Sequence, residues 1–474
     1  MNLPHSAPST QGVDASGLLA FISAVREHDL DLHGLEVARH GHVIAQGWVR
    51  PYAADRAQLV YSLSKTLTAT AVGLLVQEGR LGLDDLVLDH LPEVDREGLD
   101  EHWSRVRVRH CLSMTVGHET DAWAQVVDRS DFSAVRGSDD WLARALATRP
   151  TAEPGTVFAY NQVATYLLSV IVGRLGGGVR EVLRPRVLDP LGIGEVLWHT
   201  DPQGRELGFS GAHLRTGDVL ALAQLYLDGG VWQGERLLET AWVDEATVAF
   251  GPLNEDPGAG ADWRRGYGYS FWMQQVGFRG DGAYGQFLVV LPEHDVAIAI
   301  TSEHERMQTM LDLLWEHVVP ALDRPGSPAD DEALARALAG LALEPLAGAA
   351  IGPDAAELSR SEASTLSSAY TAVSVTREGA GHVVSLHRGE DRLPVAVGAG
   401  EWLPSVLVAE GWSLPVVASG GWVDEGTFRA EVRVIETPHS FTLEARVGDG
   451  EVDLVWRMVP LMGRDPFGLA ARRA

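Results

Sequence analysis

The chain has 474 residues, 45% of them apolar and 7% aromatic, and a formal net charge of −27 at pH 7. That length calls for two or three domains, and the apolar share supplies a sizeable core and excludes global disorder. So acidic a balance argues against nucleic acid and anionic membrane surfaces, both of which demand clustered cations.

The single cysteine, Cys111, rules out an intramolecular disulfide and, set in His-Cys-Leu-Ser-Met, reads as core packing. The first residues lack a basic start followed by an apolar stretch, and no segment reaches the roughly 18 to 20 apolar residues of a membrane span. The expectation is a cytoplasmic protein.

In chain order, a short helix is expected near Ser16 to Glu27, followed by a hairpin in LEVARHGHVIAQGWV that pivots at His40-Gly41. Next comes SLSKTLTATAVGLLVQEG from Ser62, apolar on nearly all sides and therefore read as a buried helix, with Ser62 or Ser64 as its cap. Of the 38 basic side chains only Lys65 is a lysine. Arginine keeps its proton in a protein, whereas a desolvated lysine can become a neutral amine and accept one. Lys65 lies three residues after Ser62, the spacing that puts both on one helix face. The competing reading of Ser62 is a plain N-cap.

Residues 80–235 read mostly as helix, broken by loops at Pro154-Gly155, Gly176-Gly177-Gly178 and Pro190-Leu191-Gly192. Tyr160 follows the Pro-Gly turn at the entry to another apolar helix. Between Tyr267 and Ser302 short β-rich runs appear, with a glycine-rich strand entrance over residues 278–287 whose backbone N–H groups suit a reacting carbonyl. A helix from His304 to Leu322 closes the unit. Strands at both ends of this region with helices between them predict one sheet built from N- and C-terminal portions.

The Pro- and Gly-rich segment after Asp323, an alanine-rich helix over Asp331 to Leu343 and a polar loop make a linker of residues 326–365. It separates a domain over 1–325 from one over 366–474. The latter carries about eight short alternating runs and a hairpin at Asp449-Gly450, which predicts an antiparallel sandwich or barrel.

Other clusters carry less. His40-Gly-His42 and His110 through His118 lack metal-ligand spacing, so no metal is expected. Gly173 to Gly178 follows a helix and reads as its stop, not as a phosphate loop. The Gly-x-Ser-x-Gly element of α/β-hydrolases is absent.

Taken together, several motifs resemble the serine β-lactamase and penicillin-binding-protein superfamily, in particular the class C β-lactamase-related serine hydrolases. They are Ser62-Leu-Ser-Lys65, residues 83–93 (LDDLVLDHLPE), 110–118 (HCLSMTVGH), Tyr160-Asn-Gln162, 189–193 (DPLGI), 218–230 (DVLALAQLYLDGG) and 285–292 (GQFLVVLP), in the family's order over about residues 15–322. The resemblance implies an α+β fold: a β-lactamase-like sheet flanked by helices plus an all-helical lobe, followed here by the separate C-terminal antiparallel β-domain. It makes Ser62 the acylated nucleophile, Lys65 its base and Tyr160 a proton relay, with no cofactor.

Two positions depart from the family pattern. Gln162 stands where asparagine is usual, with a longer reach toward substrate. Where the family has Lys-Thr-Gly or His-x-Gly, this chain reads Arg279-Gly280-Asp281-Gly282. Either Arg279 or a glycine then fills the cationic position, and the oxyanion N–H comes from Gly282 or Ala283. Arg279 is either an anchor for a substrate carboxylate or a surface residue paired with Asp281. The reading is a serine hydrolase acting on a small-molecule ester, amide or peptide. The alternatives are a β-lactamase or D-amino-acid peptidase, an acyltransferase or peptide cyclase of penicillin-binding type, and a non-catalytic ligand-binding protein. A homodimer is a further expectation, and the β-domain is read as walling the active-site cleft, mediating dimerisation or stabilising the fold.

Overall fold

The computed structural model describes residues 3–127, 140–348, 352–379 and 381–474. The described residues divide into two compact units, one of residues 3–48, 60–127 and 140–340, the other of 49–59, 341–348, 352–379 and 381–474.

The first unit is built on a six-stranded antiparallel sheet. Its strands are β1 (Asp31–Arg39), β2 (His42–Trp48), β3 (Trp272–Met273), β4 (Phe278–Gly282), β5 (Gln286–Leu291) and β6 (Val296–Glu303), in the order β2-β1-β6-β5-β4-β3. The first two strands are the expected hairpin, turning at His40 and Gly41, both with positive φ. β1 pairs directly with β6 from the other end of the region, Leu35 opposite Ile300 and Val37 opposite Ile298. β1, β5 and β6 are buried along their full length; Phe287–Leu291 of β5 and Val296–Ile300 of β6 are continuous apolar runs where a one-sided sheet would alternate, while β1 also buries Asp31, His33, Glu36 and Arg39.

Among the helices of this unit are α1 (Ala15–Glu27), α2 (Ser64–Gln77), α3 (Gln162–Gly176), α4 (Thr216–Leu227), α5 (Met307–Leu313) and α6 (Pro328–Ala339). Asp14 caps α1 by accepting the Ser16 N–H. α4 lies against β1, β5 and β6. α3 ends with Gly177 as its C-cap, the stop expected from the glycine run. The closing helix expected over 304–322 begins as α5 and continues through two further helical turns to Ala321.

The expected linker does not behave as one. α6 is anchored to the first unit: Asp331 accepts the Ser9 backbone N–H at 3.1 Å, and Leu334 and Leu338 are buried. The alanine-rich run that suggested a connector has an apolar face, and it packs on α1 and β2. Past it, Ala355–Arg360 is already a strand of the second sheet.

The second unit orders β7 (Ala355–Arg360), β8 (Tyr370–Glu378), β9 (Gly381–Arg388), β10 (Asp391–Val397), β11 (Leu403–Ala409), β12 (Trp412–Trp422), β13 (Thr427–Val434), β14 (His439–Arg446) and β15 (Glu451–Trp456) as β10-β9-β8-β7-β15-β14-β13-β12-β11. All these pairs are antiparallel except β7 with β15, so the sheet is mixed at that seam. Alternation sets the faces: Phe428, Ala430, Val432 and Val434 of β13 are buried while Arg429 is exposed. The two ends of the strand order meet, the Ala396 N–H of β10 donating to Ser405 Oγ of β11 at 2.9 Å, which curls the sheet into a half-barrel. The hairpin expected at Asp449-Gly450 joins β14 to β15.

Candidate active site

Ser62 sits in a single 3-10 turn, Tyr61–Leu63, that runs straight into α2. Tyr61 has φ 47°, a left-handed conformation costly for a bulky residue and often found where a neighbouring side chain must be aimed. Its ring is buried and meets Tyr284 edge-on at 5.2 Å.

Every residue of α2 from Ser64 to Leu75 is buried. Threonines are poor helix formers, yet those of α2 satisfy their hydroxyls on backbone carbonyls: Thr66 on Ser270 at 3.2 Å, Thr68 on Gly208 at 2.8 Å and Thr70 on Thr66 at 2.7 Å. Neither serine caps the helix as expected; Leu63 occupies the cap position without a side-chain bond. Ser64 Oγ donates to the Tyr61 carbonyl at 2.6 Å and accepts the Ala212 N–H at 3.0 Å, a fixed structural role.

Lys65 is 1% exposed. Its Nζ lies 3.0 Å from Ser62 Oγ, 2.6 Å from Gln162 Oε1 and 3.0 Å from the Phe209 carbonyl, and 4.6 Å from the centre of the Tyr160 ring. Tyr160 hydrogen-bonds Ser62 through its hydroxyl. Burial, then the negative charge of Asp281, pushes that phenol well above its ordinary range, so it is a proton donor at neutral pH. Ser62 therefore lies between an amine and a phenol.

Tyr160 is held by stacking on Trp272 at 5.3 Å and by an edge contact with Tyr267 at 6.1 Å. Asn161 caps α3, its Oδ1 accepting from Val163 N at 3.1 Å and Ala122 N at 3.3 Å. Its amide also meets His118 Nδ1 at 2.9 Å. His118, one of the histidines set aside as a metal ligand in the sequence, is pulled down to about 4 by burial and serves this scaffold. With Asn161 fixed, Gln162 reaches Lys65, while its backbone N–H donates to Asp121 Oδ1 at 3.1 Å.

β4 passes against the nucleophile turn so closely that side chains are excluded. A Cβ on Gly280 would fall 2.5 Å from Thr66 Oγ1, and one on Gly282 only 2.0 Å from the Val60 carbonyl. The strand thus ends at Gly282 against Val60, the residue before the nucleophile turn, and the partly buried Ala283 follows it.

Arg279 keeps the pairing with Asp281 that one reading of the sequence expected, but it is neither on the surface nor free to bind a substrate carboxylate. It is 0% exposed, donates from Nε to Asp281 Oδ2 at 3.0 Å and from a terminal nitrogen to the Asp262 carbonyl at 3.3 Å, and stacks on Trp263 at 4.2 Å. Burial pushes the Asp281 carboxyl upward, and Arg279 opposes that shift. Asp281 also accepts from Trp272, so this pair backs the aromatic wall behind Tyr160.

The sequence reading missed Asp121, Trp272, Tyr267 and the Phe209 carbonyl. Only Trp272 left a trace, as part of the expected β-rich run; a backbone acceptor such as Phe209 O has no side-chain signature.

A hydroxyl held between a buried lysine and a tyrosine, against a glycine strand, defines a site of the Ser-x-x-Lys class on an α+β scaffold. The Beta-lactamase family model matches residues 27–320, and the chain belongs to that family of hydrolases. It is similar to the 6-aminohexanoate-dimer hydrolase of Paenarthrobacter ureafaciens, 27% identical over 277 residues, 55% of this chain and 70% of that protein. It is similar also to esterase EstB of Burkholderia gladioli, 31% identical over 207 residues, 39% of this chain and 53% of that one. Among solved structures, the octameric penicillin-binding protein homologue from Pyrococcus abyssi shares the fold of both units, with a TM-score of 0.50 and 15% identity over 93% of this chain and 98% of that one.

Proposed function

We propose that this protein is a serine esterase or amidase that works through an acyl-enzyme on Ser62. The observation that carries the reading is the 3.0 Å contact between Lys65 Nζ and Ser62 Oγ. In its neutral form Lys65 takes the Ser62 proton as Oγ bonds to the substrate carbonyl carbon. The backbone N–H groups of Ser62 and of Gly282 or Ala283 stabilise the oxyanion. Tyr160 passes a proton to the departing alcohol or amine as its bond to carbon breaks. Water then attacks the acyl carbon, giving up its proton through the same pair, and Ser62 recovers its hydrogen. Gln162 orients Lys65 through its amide oxygen.

The substrate class follows from charge. Arg279 spends its cation on Asp281, so the third motif offers no anchor for the carboxylate of a β-lactam or a D-Ala terminus. Esters and amides that are uncharged near the scissile carbonyl fit better, in keeping with the similarity to an esterase and to a 6-aminohexanoate-dimer hydrolase. Intact mass and turnover with a short-chain nitrophenyl ester, a cephalosporin and a D-Ala-terminated peptide test this. The expected result is a transient acyl adduct on Ser62 and fastest turnover of the ester. Preferred turnover of the cephalosporin would overturn the substrate class, and no adduct from any donor would favour a binding protein on the same scaffold.

A further inference from the structure

Among the described residues of the first unit, Asp31, His33 and Glu303 form a buried cluster of metal-ligating groups away from Ser62. Asp31 opens β1 directly opposite Glu303, the last residue of β6. The register then shifts between Leu32 and Gly34, leaving His33 as the extra residue of a bulge, a device that re-aims a side chain. Asp31, His33 and Glu303 are 5%, 0% and 0% exposed. One donor atom from each lies within 4.8 Å of the other two, and His33 Nε2 is 3.8 Å from Asp31 Oδ1.

We propose that these three side chains bind a divalent transition-metal ion of the zinc type. The donor set is one imidazole nitrogen and two carboxylate oxygens. Imidazole selects against magnesium and calcium, and the mixed set matches zinc. Metal–ligand bonds of about 2.0 to 2.2 Å place tetrahedral donors about 3.4 Å apart, so the cluster closes on an ion by small side-chain rotations. Charge fits as well: two carboxylates and a neutral imidazole sum to the charge that one divalent ion cancels, which offsets the cost of burying like charges together. Three protein ligands leave the fourth position to water.

The ion would be structural. It ties the start of β1 to the end of β6, the pairing that joins the N- and C-terminal portions of the domain. The next residue inward, Ser302, donates to the carbonyls of Tyr284 and Gly285 at 3.1 and 2.7 Å, and the Tyr284 ring packs on Tyr61. The site thus supports the turn that carries Ser62 without touching it.

The test uses the full-length protein, stripped with a chelator and dialysed against zinc chloride. Elemental analysis is expected to find one zinc per chain after buffer exchange, with a melting temperature raised by about 5 °C or more. His33→Gln and Glu303→Gln should each weaken zinc uptake at least about tenfold, while His42→Gln, at a partly exposed turn position, leaves it unchanged. Should either cluster variant fail to fold, cobalt added to the wild-type protein reports directly through visible d–d absorption of a nitrogen–oxygen site. Wild-type protein that retains no zinc and gives no cobalt spectrum overturns the proposal, as does uptake untouched by folded His33→Gln.

Discussion

The two walls of the candidate site treat charge in opposite ways. On the nucleophile side, α2 buries a lone lysine and turns its nitrogen to neutral oxygens of Ser62, Gln162 and Phe209. On the strand side, β4 buries an arginine but supplies a carboxylate two residues away to absorb it. A buried amine facing neutral acceptors can exchange a proton with the serine beside it; a guanidinium locked to Asp281 can neither exchange a proton nor receive a substrate anion. The first wall is built for chemistry and the second for shape.

The largest expected effect is on the reactive wall. Ser62→Ala should lower ester turnover by at least about 10,000-fold with the fold intact by circular dichroism. A residual rate near wild type would mean that another group carries the acyl chain.

On the opposite wall the cost should appear in stability. Arg279→Met strands a buried carboxylate and is expected to lose about 3 to 5 kcal/mol in urea unfolding, most of it recovered by adding Asp281→Asn. If the double variant is as weak as the single one, the pair is not the reason these residues are tolerated in the core.

A buried carboxylate elsewhere in the same unit sharpens the contrast. Glu36 on β1 is raised from 4.5 to about 7 by burial first and then by Asp218, with Arg215 opposing. Its folded-state value exceeds its unfolded one, so its penalty is absent below about pH 4.5, grows as pH rises to about 7 and levels off above that. Glu36→Gln should therefore gain about 3 kcal/mol over wild type between pH 4.5 and pH 8, measured by denaturant unfolding at both. A constant difference across that range would show that Glu36 does not resist ionisation.

The smallest effect separates relay from base. Tyr160→Phe keeps the ring stacked on Trp272 and removes only the hydroxyl, for an expected loss of about 100-fold in kcat with KM little changed. A rise in KM alone would make Tyr160 a binding residue.

Much of this was legible in the chain. The sole lysine three residues after a serine, on an apolar helix, pointed to the Lys65–Ser62 contact, and the His40-Gly41 pivot and apolar strands pointed to the sheet. What stayed hidden depends on long-range packing. An Arg and an Asp two residues apart share a strand face, but charged pairs are rarely fully buried, so the run could not announce that Trp263 and Asp262 would enclose it. α6 looked like a linker because most of its apolar positions are alanines and only two leucines, Leu334 and Leu338, mark its buried face. Residues 49–59 belong to the second unit through contacts such as the Leu59 N–H to the Glu436 carbonyl at 2.9 Å, a pairing local patterning does not encode.

The account rests on Lys65 taking the Ser62 proton, and the rate of fluorophosphonate labelling in Lys65→Arg measures this most directly. That variant puts a long side chain that stays protonated in place of the amine, and so removes the base. The account predicts one phosphonyl group on Ser62 in the wild-type protein, mapped by peptide mass, and labelling slowed about 1,000-fold in the variant. Labelling of Lys65→Arg at the wild-type rate would contradict it.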